Sequence, residues 1–125
     1  MAQEKLTYEQ LQSKLDEFIG TMKYYRIGIT PILATEGVVC FADTCECYWL
    51  LDDICINLYK KHQQLGYIFV DIDVNKRHTA HITARQDENM PIIYDKKIKD
   101  VCEIIPVGSY KIWLMNNVLL LPSEY

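Results

Sequence analysis

Ile68-Phe69-Val70-Asp71-Ile72-Asp73-Val74, then Asn75-Lys76-Arg77, then His78-Thr79-Ala80-His81-Ile82-Thr83-Ala84-Arg85: this stretch decides the fold. Both flanking runs alternate in character with a period of two, the pattern of strands that bury one face. Ile68, Val70, Ile72 and Val74 share one side of the first run. His78, Ala80, Ile82 and Ala84 share one side of the second. A three-residue loop opposing Val74 to His78 keeps like faces together, whereas a two-residue loop opposing Val74 to Thr79 mixes them. The first register predicts Asp71 across from His81 and Tyr67 across from Arg85. It sends Ile68, Val70, Ile72, Ala80 and Ile82 into the core.

Downstream, residues 86–89 read as a polar loop and Ile92 to Asp95 as a short strand. Lys96 to Gly108 fits either a helical turn or an extended segment, and Pro106 ends both. Tyr110 to Met115 and Val118 to Leu121 flank Asn116-Asn117, a hairpin signal because asparagine tolerates positive φ. This hairpin is apolar on both faces. Ile112, Leu114, Leu119 and Leu121 lie on one; Trp113, Met115, Val118 and Leu120 lie on the other. Strands of that kind are central and covered twice, the second cover being another sheet or another protein chain.

Upstream, a helix is predicted from about Thr7 to Ile19. Thr7 and Gln10 have capping-box spacing, Tyr8, Leu11, Leu15, Phe18 and Ile19 form its apolar face, and Gly20 stops it. Met22 to Ile27 reads as a strand. Ile32 to Thr35 and Val38 to Ala42 read as a hairpin around Glu36-Gly37. A second helix, capped by Asp43 or Thr44, runs to about Lys61, with Lys60, Lys61 and His62 at its C-terminal end, where positive charge suits the dipole. The expected fold is therefore α+β. It is one domain over residues 1–125, an antiparallel sheet of about five to seven strands with two helices packed on one face.

Composition narrows the function. The chain has 125 residues and a formal net charge of −4. The densest basic cluster, Lys96, Lys97 and Lys99, is offset by Asp95 and Asp100, which argues against generic nucleic-acid binding. No apolar run is long enough for a bilayer, and Met1 to Lys5 lacks a signal-peptide core, so a cytoplasmic protein with reduced cysteines is expected. The five cysteines cannot all pair with one another.

Sites for chemistry are sparse. No phosphate loop, dinucleotide fingerprint or nucleophile elbow is present. Cys40, Cys45 and Cys47, with His62 or Cys55, match no structural zinc spacing, and about 200° of helix rotation separates Cys45 from Cys47. On a strand His78 and His81 point to opposite faces and cannot share a metal. No metal, cofactor or disulfide is expected. Asp52-Asp53 and Asp71/Asp73 read as solvated carboxylates rather than an acid–base pair. A ligand pocket between helix and sheet would draw on Tyr24, Tyr25, His81, Asp71 and Cys47.

The second helix carries more information. Cys47, Leu50, Leu51, Ile54 and Leu58 form one apolar stripe, and Cys45, Trp49 and Ile56 a second, nearly opposite. A helix apolar on two sides is buried twice or meets a partner. Trp49 and Ile56 beside Asp52 and Asp53 have the composition of a protein-binding patch with a polar rim. The expectation is that the first helix partly covers Trp49, leaving a partner surface at the Asp52/Asp53 edge.

Phe18-x-Gly20-Thr21-x-x-Tyr24-Tyr25, Thr35-x-Gly37-Val38, Tyr48-Trp49-Leu50-Leu51-Asp52 and the closing Leu119-Leu120-Leu121-Pro122-Ser123-Glu124-Tyr125 resemble a family of small proteins of unknown function. Such proteins are encoded by bacteria, prophages and mobile elements. The resemblance implies no catalytic residues. It suggests a protein that binds host machinery, as anti-CRISPR inhibitors of defence effectors do, with a protein or ribonucleoprotein partner. A small enzyme or ligand-binding domain and a homodimeric accessory protein are the alternatives.

Overall fold

The computed structural model describes residues 7–19, 23–26, 30–87, 89–99 and 105–124. Its elements are α1 (Tyr8–Leu15), β1 (Tyr24–Arg26), β2 (Leu33–Thr35), α2 (Glu36–Thr44), α3 (Tyr48–Leu65), β3 (Ile68–Val74), β4 (Ala80–Arg85), β5 (Ile92–Ile98), β6 (Gly108–Met115), β7 (Val118–Leu120) and a closing 3-10 turn, Pro122–Glu124. The strands form one sheet in the order β1-β2-β7-β6-β3-β4-β5. All pairings are antiparallel except β2 with β7. The fold class is α+β, as expected, with three α-helices among the described residues rather than two.

Period-two burial marks the core face of β3 and of β6 up to Leu114. Ile68, Val70, Ile72 and Val74 of β3 join Tyr110, Ile112 and Leu114 of β6 in a single core cluster with Leu11 of α1, Phe41 of α2 and Leu51 and Leu58 of α3. Phe69, Asp71 and Trp113, which alternate with them, are absent from that cluster. All three helices therefore cover the same face.

The expected capping box forms. The Gln10 amide N–H donates to Thr7 Oγ1 at 3.1 Å, and the Thr7 N–H donates to Gln10 Oε1 at 2.9 Å. The helix ends at Leu15, short of Ile19. The last hairpin also forms, with Asn116 and Asn117 at φ 52° and 62°. It is central in the sheet, as its two apolar faces require. The turn is held from outside. His62 Nε2 accepts the Asn117 N–H at 2.9 Å, so the ring proton sits on Nδ1 and is donated to the Gly66 carbonyl at 2.6 Å.

Three expectations are corrected. Residues 36–44 form α2, not the second arm of a hairpin. Thr35 caps it by accepting the Val38 N–H at 3.4 Å, and Val38, Phe41, Ala42 and Cys45 are buried at i, i+3, i+4 and i+7 spacing. The next helix then starts at Tyr48, after Glu46 at φ 51°, rather than at Asp43 or Thr44.

The central hairpin register is the second correction. Val74 pairs with Ala80, Asp73 with His81 and Phe69 with Arg85. Asn75 Oδ1 accepts from the Arg77 and Thr79 amides, and His78 adopts φ 58°, so the loop takes five residues instead of three. A shift of two preserves the faces, so Ile68, Val70, Ile72, Ala80 and Ile82 are buried as expected. His81 Nε2 meets Asp95 Oδ1 of β5 at 2.7 Å instead of Asp71.

Third, α1 packs against α2, and Trp49 stays 43% exposed and Ile56 50% exposed. The first helix is not a lid over that patch. Of the remaining expectations, β5 extends the predicted strand to Ile98. Residues 20–22, 27–29 and 100–104, with parts of three predicted segments, lie outside the described residues.

Burial also sets an alkaline limit. Cys55 is fully buried on α3, and burial pushes its thiol up to about 11, partly opposed by the neighbouring Thr30 and reinforced by Asp52. Burial likewise raises the Tyr110 phenol. From the ordinary thiol value of 9.0 upward, the unfolded chain releases a proton that the folded chain keeps. Stability should thus be intact below pH 9 and fall toward pH 11, with Cys55 contributing about 2–3 kcal/mol of the loss. Urea titrations at pH 8 and at alkaline pH check this. Cys55→Ala should flatten the decline, and an unchanged decline would remove Cys55 as its source.

Candidate functional site

Cross-strand register builds a row of side chains on the helix-free face. Arg85 of β4 stands opposite Phe69 of β3, Phe69 opposite Trp113 of β6, and Trp113 opposite Leu120 of β7. Period-two geometry points all four away from the helices. The Phe69 and Trp113 rings meet edge to face, centroids 5.2 Å apart and planes at 71°, a favourable aromatic geometry. Both rings are half-buried.

The neighbouring row is polar. Asp71 faces Lys111 on β6 and Thr83 on β4. Farther along, Asp73 Oδ1 accepts the Ser109 hydroxyl at 2.5 Å. Phe69, Asp71, Arg85, Asp87, Lys111 and Trp113 surround a shallow concavity of about 350 Å³. Arg85 is half-buried, and its Nε is shut off from solvent with no hydrogen-bond partner. Leaving such a donor unmade costs about 1–3 kcal/mol.

The patch expected from sequence is placed differently. Trp49, Asp52, Asp53 and Ile56 lie at i, i+3, i+4 and i+7 on α3, with Trp49 and Ile56 exposed. Asp53, however, holds Lys96 of β5, with Nζ at 2.9 and 3.0 Å from its two oxygens. That hydrogen bond raises the lysine above its usual range. Asp53 therefore ties α3 to the sheet. Asp52 is half-buried, with Oδ1 enclosed. The acidic rim is partly structural.

A helix–sheet pocket of about 260 Å³ is present, lined by Tyr8, Gln12, Leu15, Phe41, Tyr110 and Ile112 among others, but the residues expected to line it do not come together. Cys47 is buried in the core, while Tyr24 is on edge strand β1 and His81 on β4 toward the opposite edge. Of that set, Asp71 alone lines the concavity. Cys40, Cys45 and Cys55 are free thiols. Among the described residues no three His, Cys, Asp or Glu side chains converge as metal ligands.

Two of the quoted sequence stretches do converge. The Glu124 side chain reaches the start of α2, where Oε1 accepts the Thr35 hydroxyl at 2.5 Å and the Leu121 N–H at 3.1 Å. Its Oε2 accepts the Gly37 N–H at 3.2 Å. Gly37 is required there, since a β-carbon would lie 2.5 Å from Glu124 Oε1. A carboxylate at a helix N-terminus satisfies free amides and suits the dipole. This is a structural clasp joining residues 35–38 to the closing segment.

A family described as "Family of unknown function (DUF6876)" matches residues 9–125, nearly the whole chain and both ends of that clasp. The chain belongs to this family. No curated protein and no solved structure gives a significant match. For this DUF6876 chain the functional reading therefore rests on its own surface. Arg85, Phe69 and Trp113 were missed from sequence because the predicted register set Tyr67 against Arg85, and nothing local announces that β3 pairs with β6.

Proposed function

We propose that the protein is a small cytoplasmic binding protein of mobile-element type that acts by covering a protein partner with the helix-free face of its sheet. The target class is a bacterial defence effector or its guide-loaded complex, and the action is inhibition of anti-CRISPR kind. One observation carries the binding reading: the paired Phe69 and Trp113 rings, half-buried on a face that no described helix covers. Aromatic residues of this sort, flanked by charge, are the usual energetic centre of a protein contact. The target class follows the resemblance of Tyr48-Trp49-Leu50-Leu51-Asp52 and the closing segment to proteins of phages and mobile elements. No helix among the described residues is long and apolar enough to cross a membrane.

An interference assay tests it. Expressed in cells whose defence effector targets a phage, the wild-type chain should restore plating. Trp113→Ala should stay folded and lose about 2–3 kcal/mol of stability, less than a fully buried ring would cost because Trp113 is only partly buried. It should weaken binding by about 2 kcal/mol or more, roughly thirtyfold, and lose the rescue. Absence of rescue across several defence types, or full rescue by a folded Trp113→Ala, counts against the reading.

A further inference from the structure

We infer that the cavity between α1 and β6, on the helix-bearing side of the sheet, binds a small neutral molecule made of an apolar ring and an amide, with the amide bonded to the main chain of Lys111. The site is separate from the aromatic face and does not depend on the partner reading above.

The edge of β6 supplies the polar half. Alternate residues of a strand aim N–H and C=O at the same neighbour. The tight turn at Asn116-Asn117 makes that neighbour β7 for Met115 and Trp113, which pair with Val118 and Leu120. Lys111 and Ser109 therefore aim the same way, and the Ser109 carbonyl accepts the Tyr8 hydroxyl at 2.8 Å and the Gln12 side-chain amide at 3.4 Å. No strand continues opposite Lys111. β7 ends at Leu120, the Leu121 N–H turns to Glu124 Oε1, and the Leu121 carbonyl accepts the Glu124 N–H. Pro122, which follows, has no N–H to give. Among the described residues nothing bonds the Lys111 N–H and C=O at this edge.

Carbon supplies the other half. Leu15, Phe41, Ile112 and Leu121 are buried and line the cavity, as does Lys111. The half-buried polar side chains around it are engaged: Tyr8 and Gln12 on Ser109, and the Ser123 hydroxyl on the Leu15 carbonyl at 3.5 Å. Asp16 and the Lys111 side chain are exposed, where water screens their charge. An occupant thus meets an apolar wall with one open donor beside one open acceptor, and main-chain groups shut off from water need partners. An amide offers the matching acceptor and donor side by side, and the Gln12 carboxamide already donates to the next rung of the same edge. A carboxylate has no donor and would set an anion against the Lys111 carbonyl. A volume of about 260 Å³ lies just below the range of about 300–1,000 Å³ usual for drug-sized ligands, which suits one ring with a small substituent. An added strand would need several open rungs in succession, and the Ser109 carbonyl is taken.

The test is a titration of the isotopically labelled full chain, followed by amide and methyl NMR signals. The probes are benzamide, N,N-dimethylbenzamide and benzoate at millimolar concentration. Benzamide should shift the Lys111 amide and the Leu15, Ile112 and Leu121 methyls. It should bind about tenfold tighter than the dimethyl analogue, which keeps ring and carbonyl but cannot donate, and at least about tenfold tighter than benzoate. Ser123→Phe, which adds a ring at a half-buried position of the wall, should lose the benzamide shifts and keep the rest of the spectrum. No Lys111 shift with benzamide, equal affinity for the dimethyl analogue or for benzoate, or shifts confined to Phe69 and Trp113 each overturns the inference. A folded Ser123→Phe that binds benzamide as the wild type does overturns it too. The three probes are compared on the wild-type chain, so they decide even where the variant does not fold.

Discussion

Glu124→Ala should destabilise the fold by about 4 kcal/mol, more than most single substitutions. The carboxylate accepts from the Thr35 hydroxyl and from the Gly37 and Leu121 amides, all classed as buried hydrogen bonds. Hydrogen bonds to a charged group contribute about 1.5–3 kcal/mol each, and donors left buried without partners add their own cost. The effect should pass to α2, because Thr35 also accepts the Val38 N–H and so links that amide to Glu124. Urea unfolding measures the loss. Gly37→Ala should be costly for the same reason, its methyl displacing the carboxylate. The two changes together should therefore cost clearly less than their sum. Strict additivity would mean that the clasp does not act as one unit.

Phe41→Ala is the second large effect, expected at about 3–5 kcal/mol by removing a fully buried ring and leaving a cavity. Phe41 is 1% exposed, and its ring lies 5.2 Å from that of Tyr110. Tyr110 in turn donates its hydroxyl to the Pro106 carbonyl at 2.5 Å and touches Tyr8 of α1 edge to face at 5.5 Å. Phe41 thus sits where α1, α2 and β6 meet. Thermal melting together with near-ultraviolet circular dichroism reports both the loss and the slackened tyrosine packing. Phe41→Leu, which keeps most of the volume, should cost about 1–2 kcal/mol. A cost below about 1 kcal/mol for the alanine variant would contradict the packing described.

Phe41 also shows where sequence reading succeeds and where it stops. The alternation at residues 68–74 and 80–85 was legible because burial of one sheet face leaves a period of two that needs no knowledge of neighbours. The Thr7–Gln10 box and the Asn116-Asn117 turn were legible because their chemistry is local. At residues 36–42, Val38, Val39 and Phe41 suggested a strand by composition, while the Thr35 cap and the 38/41/42/45 spacing carried the helical answer. Glu124, far along the chain, adds acceptors at the start of that helix that no local pattern announces. The hairpin register slipped because Asn75 spends its side chain on the turn, which lengthens the loop without disturbing either face. The concavity was out of reach for a plainer reason. Its aromatic centre joins Phe69 to Trp113, a pairing set by strand order, which no single segment encodes.

The parallel pairing of β2 with β7 has a kinetic consequence. Leu33 and Ala34 lie beside Val118 and Leu119, so strands from opposite ends of the chain are immediate neighbours. Until β7 has docked on β6, β2 has no seat in the sheet, and edge strand β1 has none either. Contacts that close such long loops lose chain entropy before they return any packing, which slows the search. Refolding should then proceed from a β3–β4–β5–β6 nucleus of nearby hairpins and finish with late capture of the β1–β2–α2 corner. That corner, rather than the aromatic face, would be the last to gain protection from hydrogen exchange and the first to open under stress.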